Sequence, residues 1–225
     1  MVDSHKIKNI IFDLGADVCG IAPVERFIDM PAGFSPKDIY KETKSVVVFA
    51  KRVPNGSMLC DNRVVYTQVT ATALMEIDRI AYNACCHMHK IGIDAVMIPS
   101  DDPYEYWDEE NSDGKGILSL KHAGVLAGLG VMGKSTILIN KDLGNMLQLG
   151  AILINVETEY DDVIDEDYCK NCKVCINNCP AGALDGKTVN QKLCRSIVTV
   201  KSSRGFSLYN CNKCRTLCPN ALGAK

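Results

Sequence analysis

The spacing of apolar residues along the first two thirds of the chain alternates between the periods of helices and of strands. In residues 4–19, apolar side chains recur at positions 7, 10, 11 and 14, the spacing of a helix packed on a core. Residues 45–53 instead form a β-branched run that is typical of a buried strand. The same criteria predict helices over 64–91 and 116–128, and strands over 93–99, 135–140 and 147–156. We therefore expect an α/β or α+β domain of about 160 residues.

The apolar pattern stops at an acidic segment, ETEYDDVIDED at 157–167, which has seven acids in eleven residues. Beyond it, residues 168–225 carry ten Lys and Arg and a single acid, whereas the rest of the chain carries fifteen basic and 26 acidic residues. This shift in composition predicts a solvated linker. It divides the chain into an N-terminal domain of residues 1–160 and a second domain of residues 161–225.

Net charge and the length of apolar runs indicate the compartment in which the protein works. The net charge of −2 gives no overall bias toward nucleic acid or membrane. No apolar run reaches the ~20 residues of a membrane span, and the polar, amphipathic N-terminus lacks the apolar core of a signal peptide. We expect a cytoplasmic protein without a membrane partner.

Cysteines carry the most specific signal, because eight of the twelve fall in the second domain. CKNCKVCINNCP at 169–180 has the C-x2-C-x2-C-x3-C-P spacing of bacterial ferredoxins, and CNKCRTLCP at 211–219 is a second, split copy. In such ferredoxins the cysteine before the proline ligates the other cluster. Zinc held by four cysteines, or disulfides, are the alternatives. The crossing rule predicts one [4Fe–4S] cluster on Cys169, Cys172, Cys175 and Cys218, and another on Cys179, Cys194, Cys211 and Cys214.

The stretch GLGVMGKS at 128–135 satisfies two phosphate-binding patterns, G-x-G-x-x-G and G-x-x-x-x-G-K-S. Both patterns require a strand before the glycines and a helix after them. Here a predicted helix precedes the glycines and a predicted strand follows them. We therefore interpret Gly128 and Gly130 as the end of a helix, with Lys134 positioned to meet an anion.

Several segments together resemble a known family. AGLGVMGKSTILIN at 127–140, LGNMLQLGAIL at 143–153 and the eight clustered cysteines are similar to the catalytic core of epoxyqueuosine reductases and, more distantly, to reductive dehalogenases. LGADVCGIAP at 14–23 and KSVVVFAKRV at 44–53 fit the same order of segments. The resemblance implies an α+β protein with a nitroreductase-like α/β N-terminal domain that holds cobalamin. A ferredoxin-like domain with two [4Fe–4S] clusters would follow.

The resemblance also implies roles for individual residues. Gly128, Gly130 and Gly133 would let the backbone approach cobalamin closely, and Lys134 would pair with a phosphate or propionamide of its tail. The family's motif places an acid near residue 114, where this chain has Gly114. The acid candidates in the loop over 99–114 are Asp113, Tyr104 and Tyr106.

The implied activity is an iron–sulfur oxidoreductase in which the two clusters relay electrons to cobalamin for reduction of a substrate. An electron-donor protein such as a ferredoxin or flavodoxin would supply the electrons. The family's helical repeats, which help to hold tRNA, have no counterpart after the last C-P, so we expect a small-molecule substrate and do not expect tRNA. FMN in the same pocket, or an electron carrier without its own substrate, are the alternative functions.

A second group of thiols and imidazoles, CCHMH at 85–89, lies on the predicted long helix. Cys85 and His89 are four residues apart and share one helix face. Buried cysteine is common without any chemistry, so we expect a structural role. A metal ligand or an axial cobalt ligand is the alternative.

Overall fold

The described part of the chain, residues 2–224 of a computed structural model, consists of short strands and helices around one long helix. None of the helices in these residues combines the length and apolar character that crossing a membrane requires. A 3-10 helix spans Val24–Phe27. The strands are β1 (Val18–Pro23), β2 (Ser45–Arg52), β3 (Ala95–Ile98), β4 (Tyr106–Asp108), β5 (Asp113–Lys115), β6 (Val131–Met132), β7 (Leu138–Ile139), β8 (Leu147–Ile154), β9 (Thr199–Lys201) and β10 (Ser207–Tyr209). The α-helices are α1 (Ser4–Asp13), α2 (Pro36–Ile39), α3 (Asn55–Leu59), α4 (Arg63–Lys90), α5 (Leu120–Leu126), α6 (Val174–Asn177), α7 (Gln191–Val198) and α8 (Lys213–Thr216).

An antiparallel sheet in the order β1-β2-β8-β3 forms the centre of the N-terminal part. In β2, Val47 and Phe49 pack into the core on one face, and Val46 and Val48 into the core on the other. Because both faces are covered, the strand is a continuous apolar run and not an alternating one. The strands predicted over 45–53 and 147–156 are confirmed within two residues at each end.

Helices cover both faces of this sheet. On one face, α1 and α4 bury Ile7, Ile77 and Ile80 against β2 and β8. On the other face, α5 and the 3-10 helix pack Ala123 and Phe27 against the sheet. Each fully buried Ile or Phe stabilises the fold by about 1.5–3 kcal/mol relative to exposure. The mixed α+β class is confirmed, and α4 matches the predicted helix over 64–91; the nitroreductase-like assignment stays a prediction.

Three predicted elements differ from the structure by more than two residues. The helix predicted over 116–128 is only Leu120–Leu126. The helix predicted over 4–19 ends at Asp13 because Gly15, with φ 105°, turns the chain, and the following residues form β1. The strand predicted over 135–140 is only Leu138–Ile139, because Thr136 adopts a positive φ of 60° that interrupts an extended backbone.

The acidic segment over 157–167 is not a free linker along its whole length. The Asp161 carboxylate accepts hydrogen bonds from Ile21 N at 2.7 Å and from Lys8 Nζ at 2.6 Å. Thr158 is only 1% exposed and forms a parallel bridge with Val2. These contacts attach the first half of the segment to the sheet domain, and the division at residue 160 stays a prediction.

The cysteine module, residues 168–224, contacts the sheet domain at several separate points. Tyr209 N donates to Thr67 Oγ1 on α4 at 2.8 Å, and Asn212 Nδ2 donates to Met58 O at 3.2 Å. At another point, Gln191 Nε2 donates to Gly114 O at 3.0 Å. The module therefore lies against the sheet domain, and the surfaces between them enclose space.

The glycines of GLGVMGKS form a turn packed against other backbone. The structure has the predicted order, in which α5 precedes the motif and β7 follows it, while β6 lies between Gly130 and Gly133. Gly128 has φ 72°, and Leu129 N donates to Gly124 O at 2.8 Å, which is a Schellman end of α5. A Cβ on Gly130 would lie 2.2 Å from Ile139 O. The glycines are therefore required where two pieces of backbone meet.

We expect Gly130→Ala to destabilise the folded protein by about 1–3 kcal/mol or more, because the added methyl overlaps a carbonyl. The measurement is the thermal unfolding midpoint of anaerobic protein with matched iron content. Gly56→Ala is the control, since no atom lies within 4 Å of its added Cβ. Equal midpoints for Gly130→Ala and Gly56→Ala would contradict the packing role.

Candidate functional site

The first group of thiols in the cysteine module comprises Cys169, Cys172, Cys175 and Cys218. Burial raises the pKa of Cys175, and the neighbouring charges of Cys169 and Cys172 raise it further. Burial also raises the pKa of Cys218, with smaller increases from Cys169, Cys175 and Cys172. These mutual effects mean that the four thiols lie close together.

The second group comprises Cys179, Cys194, Cys211 and Cys214. Burial raises the pKa of Cys194, and the charges of Cys179 and Cys211 add to the increase. Burial raises the pKa of Cys214 to about 11, opposed by Arg215 and reinforced by Cys194 and Cys211. The thiol charges that act on one another are mostly those within each predicted set, although Cys175 of the first set also raises the pKa of Cys214. The two sets and their assignment as iron ligands stay a prediction.

The spacing of these thiols also matters for the kind of site they can form. Among residues 2–224, no group of three or more His, Cys, Asp and Glu side chains is arranged to hold one metal ion. A cubane does not require such convergence, because each thiolate ligates a different iron of the cluster. All eight thiols are free of disulfide bonds, as cluster ligation requires.

A cavity of about 410 Å³, the interface cavity, lies between the sheet domain and the cysteine module. Two further cavities adjoin it, one of about 430 Å³ through Ser100 and Asp101, and one of about 510 Å³ through Gly114, Gly116 and other shared residues. The interface cavity is lined by Pro99, Ser100, Asp101, Tyr104, Gly114, Gly116, Leu118, Ser119, Leu120, Lys121, Thr136, Ile137, Leu138, Leu147, Gln148, Leu149, Val189, Gln191, Arg195 and Arg215.

Two arginines connect the second thiol group to this cavity. Arg195 directly follows Cys194 on α7, and Arg215 directly follows Cys214 on α8. Both guanidinium groups are fixed. Arg215 donates to the carbonyls of Asn145 and Leu147 in the sheet domain. Arg195 donates to Gln191 Oε1 at 3.0 Å and lies 4.9 Å from the centre of the Trp107 ring. Two residues that line the interface cavity are therefore direct sequence neighbours of two cysteines in the second thiol group.

Tyr104 is the predicted acid that lines the interface cavity. Its hydroxyl donates to Asp101 Oδ1 at 2.6 Å. Burial, with the adjacent Asp101 carboxylate, raises the pKa of Tyr104 to about 12, and Arg195 acts in the opposite direction. The phenol is therefore neutral at neutral pH and can donate a proton.

The other two acid candidates are placed differently. Tyr106 is 42% exposed. The centre of its ring lies 6.4 Å from the centre of the Phe34 ring and 4.5 Å from Lys115 Nζ. Asp113 pairs with Asp108 across the β4–β5 hairpin. Of the three alternative candidates, Tyr104 lines the interface cavity and these two do not; the acid role itself stays a prediction.

The four predicted cofactor residues also lie outside the lining of the interface cavity. A Cβ on Gly128 would lie 2.3 Å from Asp162 O, and one on Gly133 would lie 2.8 Å from Ile139 Cδ1. The space beside Gly128, Gly130 and Gly133 is therefore filled by the protein itself. Lys134 Nζ donates to carbonyls in the first cysteine motif, so its partner is the cysteine module and not a cofactor tail.

The interface cavity contains functional groups that the sequence analysis did not single out. They are Asp101, Lys121, Arg195 and Arg215. Burial lowers the pKa of the Lys121 ammonium. A signal for the two arginines was present, because a Cys-Arg pair occurs at 194–195 and again at 214–215. Asp101 and Lys121 had no such signal, since their approach to the cavity depends on contacts far apart in sequence.

The cysteines and histidines of CCHMH lie elsewhere. Cys85, Cys86 and His89 line a separate cavity of about 680 Å³ with Tyr40 and Tyr82. Burial raises the pKa of Cys85 to about 11, with a further increase from Cys86. No residue lining this cavity comes from the cysteine module, so the arrangement fits the expected structural role.

Comparison with known proteins identifies relatives of both parts. Residues 162–185 match the 4Fe-4S binding domain family. The epoxyqueuosine reductase of Staphylococcus aureus is 33% identical over 118 residues, which cover 48% of this chain and 31% of that protein. The chain thus spans about a third of the length of the curated relatives it matches.

Two solved structures have the same fold over nearly the whole chain. An epoxyqueuosine reductase with an epoxyqueuosine-modified tRNA-Tyr stem loop matches with a TM-score of 0.63 and 19% identity, covering 97% of this chain and 65% of that one. A catabolic reductive dehalogenase matches with a TM-score of 0.71 and 20% identity, covering 97% and 32%. The resemblance indicated by the sequence motifs is confirmed.

These relatives correct one expectation and leave another without support. The expectation that tRNA is not a partner is wrong, because the curated relatives are epoxyqueuosine reductases and a structure of the same fold holds a tRNA stem loop. The flavin alternative has no support among the relatives.

We expect Asp101→Asn to lower the pKa of Tyr104 below about 12. Removing the carboxylate charge removes a cause that favours the neutral phenol, so the tyrosinate forms at lower pH. Arg195→Gln should shift the pKa upward, because the guanidinium favours the tyrosinate. The measurement is the tyrosinate absorbance between pH 8 and 12, taken as the difference between each variant with and without Tyr104→Phe. An unchanged midpoint in Asp101→Asn would show that the two groups do not interact.

Proposed function

We propose that this chain, an iron–sulfur protein of the epoxyqueuosine reductase and reductive dehalogenase type, is a reductase with two [4Fe–4S] clusters that acts through cobalamin held in the interface cavity. One observation carries the proposal: the cavity is built jointly by the sheet domain and the cysteine module, with Arg195 and Arg215 next to cysteines of the second group. A cofactor bound there would lie beside the iron–sulfur centre.

The donor sets fit two cubanes. Each group supplies four thiols and no other ligand type, which is the complete set for a [4Fe–4S] cluster. The second group adjoins the interface cavity through Arg195 and Arg215, and Cys175 of the first group interacts with Cys214 of the second. We therefore assign the second group to the cluster nearest the cavity and the first group to the outer cluster.

The lining of the interface cavity fits a large amphipathic ring with polar substituents. Apolar side chains offer flat contact surface, and hydroxyl, amide and ammonium groups offer hydrogen bonds at the edges. When bound, reduced cobalamin would supply a strong nucleophile and reductant for removing oxygen or halogen from carbon. The apolar group comprises Leu118, Leu120, Ile137, Leu138, Leu147 and Leu149, and the polar group comprises Ser119, Lys121, Thr136, Gln148 and Gln191.

The protein's own groups would handle the proton and the charge. Tyr104 Oη holds a proton at neutral pH and faces the interface cavity, so it is the proposed acid. The hydroxyl proton is directed to Asp101 in the free site, so donation to a substrate requires the O–H to rotate, and Arg195 lies close enough to stabilise the tyrosinate left after donation. Lys121 places a further ammonium in the cavity to stabilise negative charge on the substrate.

A basic hairpin beside the cavities favours RNA as the substrate class. Between β9 and β10, Phe206 is 62% exposed, and the Arg204 guanidinium lies 5.8 Å from the centre of its ring. Exposed aromatic rings with adjacent arginines stack on unpaired bases. The hairpin residues Thr199 and Ser207 line the cavity of about 430 Å³ that adjoins the interface cavity. A splayed base could therefore reach the interface cavity while the hairpin holds the loop.

We expect reconstituted protein to hold about eight irons and to bind about one cobalamin per chain. The measurement is an anaerobic titration with cob(II)alamin followed by absorbance and EPR. Gln148→Trp should weaken binding at least about tenfold (~1.4 kcal/mol), because the indole fills a half-buried position of the cavity lining. Gln68→Trp, at an exposed position on α4, is the matched control. No change in the cobalt signal with both clusters intact would contradict the cobalamin assignment.

We expect Phe206→Ala to weaken binding of an epoxyqueuosine-modified tRNA-Tyr stem loop by about 1–3 kcal/mol, the contribution of one stacked base. Arg204→Ala should also make the slope of log affinity against log salt concentration less steep by about one. Fluorescence anisotropy at several salt concentrations measures both effects, with exposed Lys37→Ala as the control. Wild-type affinity in both hairpin variants would exclude the hairpin as the RNA contact.

A further inference from the structure

We infer that Lys134 of the sheet domain is a positioning residue for the outer iron–sulfur cluster, and that it holds the ligand loop in place and raises the reduction potential of that cluster. The inference rests on the two-cluster part of the proposed function. It is independent of cobalamin and of the substrate.

The ammonium of Lys134 is bound by the backbone of the first cysteine motif. Its Nζ donates to Cys169 O at 3.0 Å, to Cys172 O at 3.2 Å and to Lys170 O. A lysine ammonium has three N–H donors, so these carbonyls use its full capacity. Two of the three belong to predicted cluster ligands, and the third lies between them.

The stem of the side chain is enclosed by the same module. A Cβ on Gly186, where φ is 95°, would lie 3.9 Å from Lys134 Cγ and 3.1 Å from Ile176 Cδ1. Ile176 directly follows Cys175 of the first group. The Lys134 stem therefore lies beside Gly186 of the cysteine module, while its ammonium binds the first cysteine motif.

This contact fixes the direction of the peptide groups in the ligand loop. In a planar trans peptide the N–H points opposite to the C=O. Because three carbonyls converge on Lys134, the N–H groups of the same three peptides point away from it. Those N–H groups belong to Lys170, Asn171 and Lys173, and their direction is one determinant of hydrogen bonding to cluster sulfur.

Other charges also lie near this carbonyl cluster: Lys170 belongs to the loop, and Lys141 lines a cavity with Cys169 and Cys172. Acidic residues flank the loop, since Asp167 Oδ1 accepts from Cys169 N at 2.8 Å and Asp165 and Glu166 precede it. Such negative charge disfavours adding an electron. A fixed ammonium on the loop backbone offsets it and favours the reduced cluster.

The test is a potentiometric titration of the reconstituted full chain, monitored by EPR. Lys134→Met should shift the midpoint of one cluster to a more negative value and leave the other unchanged. Lys134→Arg keeps the charge and should lie closer to wild type than Lys134→Met. Lys187→Met is the matched control, because it removes an exposed lysine charge from the cysteine module itself. A selective shift in the midpoint of one cluster is the result that a role confined to folding would not predict.

Further outcomes are also decisive. A folded Lys134→Met protein that holds only one cluster supports the role of Lys134 in holding the loop. In that case the reduction midpoints of the two clusters are compared between Lys134→Arg and the wild type. Wild-type midpoints for both clusters in Lys134→Met overturn the inference. If the wild-type protein itself fails to hold two clusters, the proposed function fails before any variant is compared.

Discussion

Hydrogen bonds from cationic side chains join the sheet domain and the cysteine module, with a donor contributed by each part. Lys134 of the sheet domain donates to backbone carbonyls of the cysteine module, and Arg215 of the module donates to the carbonyls of Asn145 and Leu147 in the sheet domain. Backbone carbonyls removed from water must find donors, and hydrogen bonds from charged donors contribute about 1.5–3 kcal/mol each. Each part thus donates to backbone carbonyls of the other, and Cys169 O accepts from Cys172 N as well as from Lys134.

The interface cavity depends on this reciprocal docking. Asp101 and Tyr104 come from the loop after β3, whereas Arg195 comes from α7 of the module. Burial raises the pKa of Tyr104, Asp101 raises it further and Arg195 lowers it, so residues from both parts influence the proton affinity of the proposed acid. The same docking brings the second thiol group within one residue of the cavity. The proposed sources of electrons and of the proton therefore meet at a cavity that both parts build.

The sequence was informative where structure depends on local spacing. The cysteine spacing predicts two sets of thiols whose charges act on one another mostly within each set, and the apolar runs predict β2 and β8 because both strands are covered on both faces. The cavity could not be predicted in this way. Tyr104 and Tyr106 are only two residues apart, but β4 pairs with β5 from Tyr106 onward, and the hairpin directs Tyr106 toward Phe34 and Lys115. Which tyrosine reaches the cavity is decided by pairing and docking, not by composition.

The segment GLGVMGKS illustrates why a motif can be matched without its usual ligand. A phosphate loop needs glycines for close approach to oxygen and a lysine to bind it. Here the oxygens belong to the protein: Asp162 O lies where a Cβ of Gly128 would stand, Ile139 O lies where one of Gly130 would stand, and carbonyls of the cysteine module surround Lys134. The same chemical demands are met by backbone carbonyls in place of phosphate. Two residues further on, Thr136 lines the interface cavity. The segment therefore joins the end of α5 to the first cysteine motif, and the residue directly after it lines the cavity.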